Sequence, residues 1–176
     1  MLSNFKEKTG KKGIMISAVD LLKGIAVGAG MDNAHVEGAN GGLHTNYEGK
    51  MQAAVKAVAE DGYDFVYIHV EAPDEMGHQG SVERKVQAIE YLDERIIAPL
   101  VKNLEDKQMD FRLLVLPDHP TPIRVRTHTS ENVPYLLYDS NLERNETWVY
   151  NEKIALESGN FVEKGHTLID KLFDLK

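Results

Sequence analysis

Residues 63–78 read YDFVYIHVEAPDEMGH, and they join a strand pattern directly to a run of carboxylate and imidazole side chains. The first half, Tyr63–Val70, is rich in β-branched and aromatic residues, which favour a strand. Helical patterns lie on either side, over Tyr47–Glu60 and Ser81–Glu105. A strand enclosed by helices of this length is typical of a mostly parallel sheet with helices on both faces. The sequence therefore predicts an α/β fold.

The same alternation extends over the rest of the chain. Short apolar runs predict further strands over Gly13–Ser17, Phe111–Leu116 and Val133–Tyr138, and an edge strand over Trp148–Ile154. Residues 18–30 begin with helical spacing and end in glycines. Loops are predicted over 31–46 and Glu71–Gly80, and a closing helix is predicted over Gly165–Leu175. Residues 1–12 are expected to be a disordered or frayed lead-in, which leaves 13–176 as the folded part.

The long helix Ser81–Glu105 carries an apolar stripe, and Pro99 is expected to kink it because proline cannot donate the helical hydrogen bond. We expect the whole stripe to face the core. Its members are Val82, Val86, Ile89, Ile96, Leu100 and Leu104.

Composition excludes several classes of protein. The 176 residues carry a formal net charge of −8, which disfavours a general nucleic-acid binder because phosphate backbones attract basic surfaces. No apolar run approaches the roughly 20 residues of a membrane span, and the charged start MLSNFKEKTGKK does not resemble a signal peptide. With no Cys, the chain has no disulfide and no thiolate ligand, which fits a reducing cytoplasm.

Polar side chains follow two of the predicted strands at the point where each strand ends. Asp74 and His78 follow Tyr63–Val70, four positions apart, so one helical turn or a compact loop would aim both at one ion. Asp118 and His119 follow the strand that ends at Leu116, and His128 comes nine residues later. Ligands of parallel α/β sheets bind at the carboxyl ends of the strands. We therefore expect these side chains to form a site.

The chemistry of these side chains favours a metal centre. Imidazole nitrogen and carboxylate oxygen suit Mn²⁺, Zn²⁺ or iron, and carboxylates also admit Mg²⁺. An Asp-x-x-x-His pair alone is more often a solvated carboxylate beside a surface histidine, but several such signals at the ends of predicted strands favour a metal site. Asp118 and His119 either share one ion or divide between two. Two ions a few ångströms apart are a common clamp for phosphoryl transfer.

Three stretches of the sequence resemble cofactor-independent phosphoglycerate mutase of the archaeal type, in the alkaline phosphatase superfamily. They are ISAVDLLKGIAVGAG (16–30), VYIHVEAPDEMGHQG (66–80) and LPDHPTPIRVRTHTSENVPYLLY (116–138). The resemblance covers most of the chain from Gly13 to the final helix. It implies an alkaline-phosphatase-like core, of which this chain corresponds to an incomplete, C-terminal portion.

The resemblance also implies a function and roles for residues. The expected reaction interconverts 2- and 3-phosphoglycerate through a phosphoserine, with two divalent ions, Mn²⁺ foremost and Zn²⁺ or Mg²⁺ as alternatives. One ion would take Asp74, His78 and His128, and the other would take Asp118 and His119. Lys23 would contact the transferring group as a cation, although a solvated helix lysine is an equal alternative.

The family's nucleophilic Ser and one further Asp ligand have no match in these residues, since Ser3, Ser17 and Ser81 lie in other contexts. The implied role is a fragment that is inactive alone. Two other hypotheses stay open at this point. The parent protein could be another phosphatase or phosphomutase of the superfamily, or the chain could be a non-catalytic interaction module that self-associates through an exposed sheet edge.

Overall fold

The computed structural model describes residues 2–142 and 149–173. The chain divides into two compact units. The first comprises Met1–Lys107 with Thr121–Thr127, and the second comprises Gln108–Pro120 with His128–Lys176. Among the described residues, no helix has both the length and the apolar character needed to cross a membrane.

The first unit is a parallel sheet with helices. Its strands are β1 (Gly13–Ile16), β2 (Asp32–Asn33) and β3 (Phe65–Ile68). Its helices are α1 (Phe5–Thr9), α2 (Asp20–Gly28), α3 (Tyr47–Ala59), α4 (Ala72–His78), α5 (Val82–Leu92), a π-helical turn (Asp93–Ile97) and α6 (Ala98–Asp106).

Strand β1 is the centre of this sheet, in the order β2-β1-β3, and all four of its residues are buried. It pairs in parallel with both neighbours, with Ile14 opposite Val66 and Ile16 opposite Ile68. A strand buried on both faces carries an uninterrupted apolar run, which is why the GIMI stretch shows no alternation. The strand predicted over Gly13–Ser17 is thus confirmed with one residue fewer, and the strand predicted over Tyr63–Val70 is confirmed over its central half, Phe65–Ile68.

Helix α3 agrees with the predicted Tyr47–Glu60 helix, and its start is well capped. The Asn46 side chain accepts a hydrogen bond of 2.8 Å from the Gly49 amide, which satisfies a helix-start donor. Tyr47 is completely buried and donates its hydroxyl to the Leu43 carbonyl at 3.0 Å. Burial raises the pKa of the Tyr47 hydroxyl because the phenolate would lose its hydration.

The predicted helix over Ser81–Glu105 is confirmed as one continuous helical run over 82–106, with a π-helical turn inside it. The π-helical turn Asp93–Ile97 interrupts it just before Pro99, so the distortion precedes the proline. Pro99 follows this turn directly and has no amide hydrogen to donate to the preceding helical residues.

The expectation that the whole apolar stripe lies in the core is wrong for its first half. Val82, Val86 and Ile89 on α5 are 62%, 49% and 52% exposed. The second half of the stripe is buried as expected, at Ile96, Leu100 and Leu104. Periodicity identifies the face of a helix but not what covers it, because an interaction surface and a core face have the same spacing.

The second unit contains a two-stranded antiparallel sheet of β4 (Arg112–Val115) and β5 (Leu136–Asp139), with Leu113 opposite Tyr138. The sequence predicted a mostly parallel sheet, and this antiparallel pair is an exception to it. Its helices are α7 (Glu152–Glu157), a 3₁₀ turn (Gly165–Thr167) and α8 (Leu168–Phe173). The edge strand predicted over Trp148–Ile154 is wrong for residues 149–154. The Asn151 side chain instead caps α7, since it accepts a hydrogen bond of 2.9 Å from the Ile154 amide. Trp148 lies outside the described residues.

The expectation of a frayed lead-in over 1–12 is corrected by helix α1. Its start is capped by Asn4 and its end by Gly10 in the left-handed conformation. Phe5 stacks on Phe65 with ring centroids 5.2 Å apart, and this aromatic contact anchors α1 on β3. The segment 31–46 is loop as predicted, apart from the two residues of β2.

Arg95 joins the π-helical turn to α3. Its guanidinium donates to Glu48 at 2.5 and 2.8 Å and lies 4.7 and 4.8 Å from the ring centres of Tyr47 and Tyr91. Hydrogen bonding from Arg95 lowers the pKa of the Glu48 carboxyl. The bidentate pair and the aromatic stacking both depend on the planar guanidinium.

We therefore predict that Arg95→Met lowers the free energy of unfolding by about 1–2 kcal/mol, because it removes the bidentate pair and the cation–π contacts. Urea denaturation measures the change. Lys102→Met is the matched control, because its helix ion pair with Asp106 is solvent-exposed; no measurable change is expected there. Equal effects of the two substitutions would contradict the role of Arg95.

Candidate metal centre

Helix α4 carries the first two predicted ligands. The sequence predicted a loop over Glu71–Gly80, and this is wrong for Ala72–His78. Pro73 in the first turn and the acidic residues Asp74 and Glu75 beside it are typical of a helix start. The segment ends at Gly80, which adopts a left-handed φ of 70°.

The helix brings Asp74 and His78 together as the four-residue spacing predicted. His78 Nε2 lies 3.3 Å from Asp74 Oδ2, and both side chains are about one-third exposed. Two donor atoms that each bind one ion at about 2.1 Å lie about 3.0–3.4 Å apart at tetrahedral or octahedral angles. The pair thus has the separation of two ligands of one ion, and it is longer than a good N–H···O hydrogen bond.

The other polar atom of each side chain, Asp74 Oδ1 and His78 Nδ1, is hydrogen-bonded to the segment Thr121–Thr127. The buried Thr121 hydroxyl donates to Asp74 Oδ1, which leaves Oδ2 facing His78. His78 Nδ1 lies 2.9 Å from the Arg126 carbonyl oxygen. A carbonyl can only accept, so Nδ1 carries the proton in this contact. In the neutral ring Nε2 then holds a lone pair, which is the state that binds a metal.

The second unit brings together the other three predicted ligands. His119 Nε2 lies 3.4 Å from Asp118 Oδ2, which is again the separation of two ligands of one ion. The neighbours approach because the chain has left β4 and turned, and the His119 amide donates to Asp118 Oδ1 at 3.1 Å. His128 stacks on His119 with ring centroids 3.6 Å apart. Of the two alternatives for Asp118 and His119, this geometry favours a shared ion.

The donor set of each unit therefore fits a divalent ion. Each unit offers a carboxylate oxygen and at least one imidazole nitrogen at chelating separation, without a thiolate. Such ligands suit Mn²⁺ and Zn²⁺, and the carboxylates also accept Mg²⁺.

Lys23 lies on α2, which follows the carboxyl end of β1. Its ammonium donates to Asp20 at 3.2 Å, and its side chain is 38% exposed. It is thus available to a ligand at this end of the sheet. The ion pair with Asp20 is also what a solvated helix lysine would form, so the structure is consistent with both alternatives.

The sequence analysis missed a buried lysine at the same end of the sheet. Lys50 on α3 is completely buried and donates to the carbonyl of His69 at 2.8 Å. Burial lowers the pKa of the Lys50 ammonium, and the nearby Glu71 carboxylate opposes this shift. Among the described residues Glu71 Oε1 is buried without a hydrogen-bond partner, 3.8 Å from His69 Nδ1. A lysine in an amphipathic helix gives no sequence signal that it will be buried.

Thr121 was also missed, although it lies two residues after His119. It lies 47 positions from Asp74 in the sequence, so only the tertiary fold reveals the contact. The threonine carbonyl accepts a 2.6 Å hydrogen bond from Lys85 Nζ. A Cβ added at Gly77 would lie 2.6 Å from the same carbonyl oxygen, so Gly77 permits Thr121 to approach α4.

We predict that Gly77→Ala lowers the free energy of unfolding by about 1–3 kcal/mol, because its methyl group would overlap the backbone at Thr121. Gly24→Ala in α2 is the control, since a methyl group added there would meet no atom of the described residues within 4 Å. It should raise stability by about 0.5–1 kcal/mol. Urea denaturation of both variants tests the close approach, and a stabilised Gly77→Ala variant would contradict it.

Comparison with known proteins shows which family this chain belongs to and how much of its relatives it covers. A model of the Metalloenzyme superfamily matches residues 1–172. The 2,3-bisphosphoglycerate-independent phosphoglycerate mutase of Methanosarcina acetivorans is 48% identical over 156 residues, which are 89% of this chain and 39% of that relative. The chain spans about two fifths of the length of several curated relatives that it matches.

Two solved structures share the fold. The PH0037 protein from Pyrococcus horikoshii superposes with a TM-score of 0.85 at 28% identity, over 99% of this chain and 52% of that one. The cofactor-independent phosphoglycerate mutase from Thermoplasma acidophilum gives a TM-score of 0.60 at 20% identity, over 99% and 38% of the two chains. The predicted α/β fold and the predicted resemblance to phosphoglycerate mutase are both confirmed, over a part of that longer protein.

Proposed function

Because the chain belongs to the Metalloenzyme superfamily, we propose that it supplies the metal-binding portion of a phosphoglycerate mutase. The proposed reaction is the interconversion of 2- and 3-phosphoglycerate through a phosphoserine, which the resemblance of the motifs implies; the relatives' names support a phosphoglycerate mutase. The observation that carries the proposal is the chelating separation of 3.3 Å between Asp74 and His78, with the second His78 nitrogen already engaged. A cytoplasmic location belongs to the same proposal, with which the absence of Cys agrees.

The proposed ligand assignment follows the family motifs. Asp74, His78 and His128 hold one divalent ion, and Asp118 and His119 contribute to the second. Mn²⁺ is the proposed ion, with Zn²⁺ and Mg²⁺ as alternatives that the same ligands would accept. When bound, such ions neutralise charge on a transferring phosphoryl group and lower the pKa of a hydroxyl nucleophile.

The chain's own residues have separable tasks in this proposal. Asp74 and His78 orient one donor atom each toward the ion, and Lys23 offers a cation to the phosphoryl group.

Two serine side chains already accept hydrogen bonds from backbone amides. Ser17 Oγ accepts from the Val19 amide at 3.0 Å, and Ser81 caps α5. These contacts favour structural roles for both, so the nucleophile is proposed to lie outside these 176 residues. In this proposal the 176 residues correspond to the C-terminal portion of a phosphatase-like domain.

The first prediction concerns activity. The isolated 176-residue chain should show no turnover of 3-phosphoglycerate with Mn²⁺, because it lacks the phosphoryl-accepting serine. A coupled assay for 2-phosphoglycerate measures this, and the full-length Methanosarcina acetivorans relative provides the positive control. Robust turnover by the chain alone would contradict the missing nucleophile.

The second prediction concerns metal binding. Titration calorimetry with Mn²⁺ should detect binding to the chain, and His78→Ala and Asp118→Ala should each weaken it at least about tenfold, since each removes a ligand. His166→Ala is the matched control, because His166 is an exposed histidine outside the proposed ligand set. If no Mn²⁺ or Zn²⁺ binds, or if the control weakens binding as much, the metal assignment is wrong.

The exposed half of the α5 stripe favours a second candidate function, a module that self-associates. Val82, Val86 and Ile89 expose an apolar row that a second copy could cover, and β3 stands at the end of its sheet order. Light scattering should then show a dimer that Val86→Asp dissociates. Leu156→Asp, at an 84% exposed leucine on α7, is the control. A monomeric wild-type chain would exclude this function.

A further inference from the structure

A short segment outside the helices contacts both proposed ligands of α4. This segment, which we name the strap, comprises residues Thr121–Thr127 and belongs to the first compact unit. None of its residues is among the proposed metal ligands. Its contacts with Asp74 and His78 are therefore separate from metal coordination itself.

The beginning of the strap holds the Asp74 carboxylate. Thr121 is 3% exposed, and its hydroxyl donates to Asp74 Oδ1. A hydrogen bond to an ionised carboxylate is stronger than one between neutral groups. Because one oxygen is held, the other is left in a defined direction, toward His78 Nε2 at 3.3 Å.

Two neighbours keep Thr121 in place. Lys85 on α5 donates its ammonium to the Thr121 carbonyl at 2.6 Å. Gly77 leaves the space that this carbonyl occupies, since a Cβ there would lie only 2.6 Å from the oxygen. The threonine is thus fixed through its backbone on one side and through its hydroxyl on the other.

The end of the strap holds the His78 ring. A turn places the Arg126 amide 2.9 Å from the Pro122 carbonyl, and Arg126 adopts a left-handed φ of 58°. That conformation costs a non-glycine residue about 1–2 kcal/mol. The Arg126 carbonyl accepts from His78 Nδ1 at 2.9 Å, so it selects the ring form that leaves Nε2 free of a proton.

We propose that the strap is a positioning element for the metal centre: the Thr121 hydroxyl orients Asp74, and the Arg126 carbonyl sets the tautomer of His78. This inference rests on the proposed function, because the orientation serves a metal ion. Hydrogen bonds from neighbouring groups to metal ligands fix the direction and the tautomer of those ligands. Removing one such hydrogen bond weakens metal affinity by about 10- to 100-fold. Thr121 and Arg126 are positioning residues in this proposal and do not touch the ion.

The first experiment reads the His78 tautomer directly in the metal-free chain. Long-range ¹H–¹⁵N correlation spectra at pH 8 distinguish the two neutral forms of the imidazole. Wild type should show the Nδ1-protonated form. Arg126→Pro should lose it, because proline cannot adopt a positive φ and the carbonyl must move; Arg126→Gly should retain it, because glycine adopts that φ readily.

The outcomes of this experiment decide the role of the strap without any metal. An Nε2-protonated His78 in wild type, or an unchanged tautomer in Arg126→Pro, would overturn the proposal. Circular dichroism spectra confirm that each variant is folded. If the wild-type chain takes up no Mn²⁺ at all, the proposed function has failed, and the tautomer still decides whether the strap sets His78.

The second experiment measures Mn²⁺ affinity by titration calorimetry of the full chain. Thr121→Val should raise the dissociation constant about 10- to 100-fold, and Thr121→Ser should keep it within about threefold, because serine retains the hydroxyl. Thr9→Val is the matched control, since this buried threonine donates to the Phe5 carbonyl within α1. Loss of affinity in the serine variant equal to that in the valine variant, or wild-type affinity in Thr121→Val, would overturn the role of the hydroxyl.

Discussion

The parallel pairing of β1 with β3 is the constraint on which the rest of the first unit depends. Gly13 lies opposite Phe65 and Ile16 opposite Ile68, so the two strands end at the same level. The chain that leaves β3 must then turn at the carboxyl edge of the sheet, where α4 begins four residues later. The register of one strand pair thereby sets where Asp74 and His78 lie.

Buried polar contacts hold the chain at this edge. The Lys50 ammonium, fully removed from solvent, binds the carbonyl of His69 just after β3. A buried ammonium is costly unless it is paired and hydrogen-bonded, and the nearby Glu71 carboxylate offsets part of this cost. The segment between β3 and α4 is thus tied to α3, which holds the start of the helix that carries Asp74 and His78.

The proposed ligand pair on α4 is constrained a second time by the strap. Thr121 and Arg126 each engage the atom of Asp74 or His78 that faces away from the other ligand. The result is that Asp74 Oδ2 and His78 Nε2 lie 3.3 Å apart with the other polar atom of each side chain already hydrogen-bonded. Preorganisation of this kind lowers the conformational cost of binding, since few rotamers are left to fix. Gly77 and the left-handed backbone at Arg126 are local costs that the arrangement requires.

The sequence by itself determined the α/β class, strands β1 and β3, helix α3 and the chemical identity of five metal-ligand candidates, because periodicity and residue type are local properties. Tertiary structure alone decided that β4 and β5 pair antiparallel, that the first half of the α5 stripe is exposed and that Lys50 is buried. It also decided that Thr121 meets Asp74 across 47 positions and that the Arg126 carbonyl meets His78 across 48. Such contacts join residues far apart in the chain, and no spacing rule encodes them, because they exist only once the elements have packed.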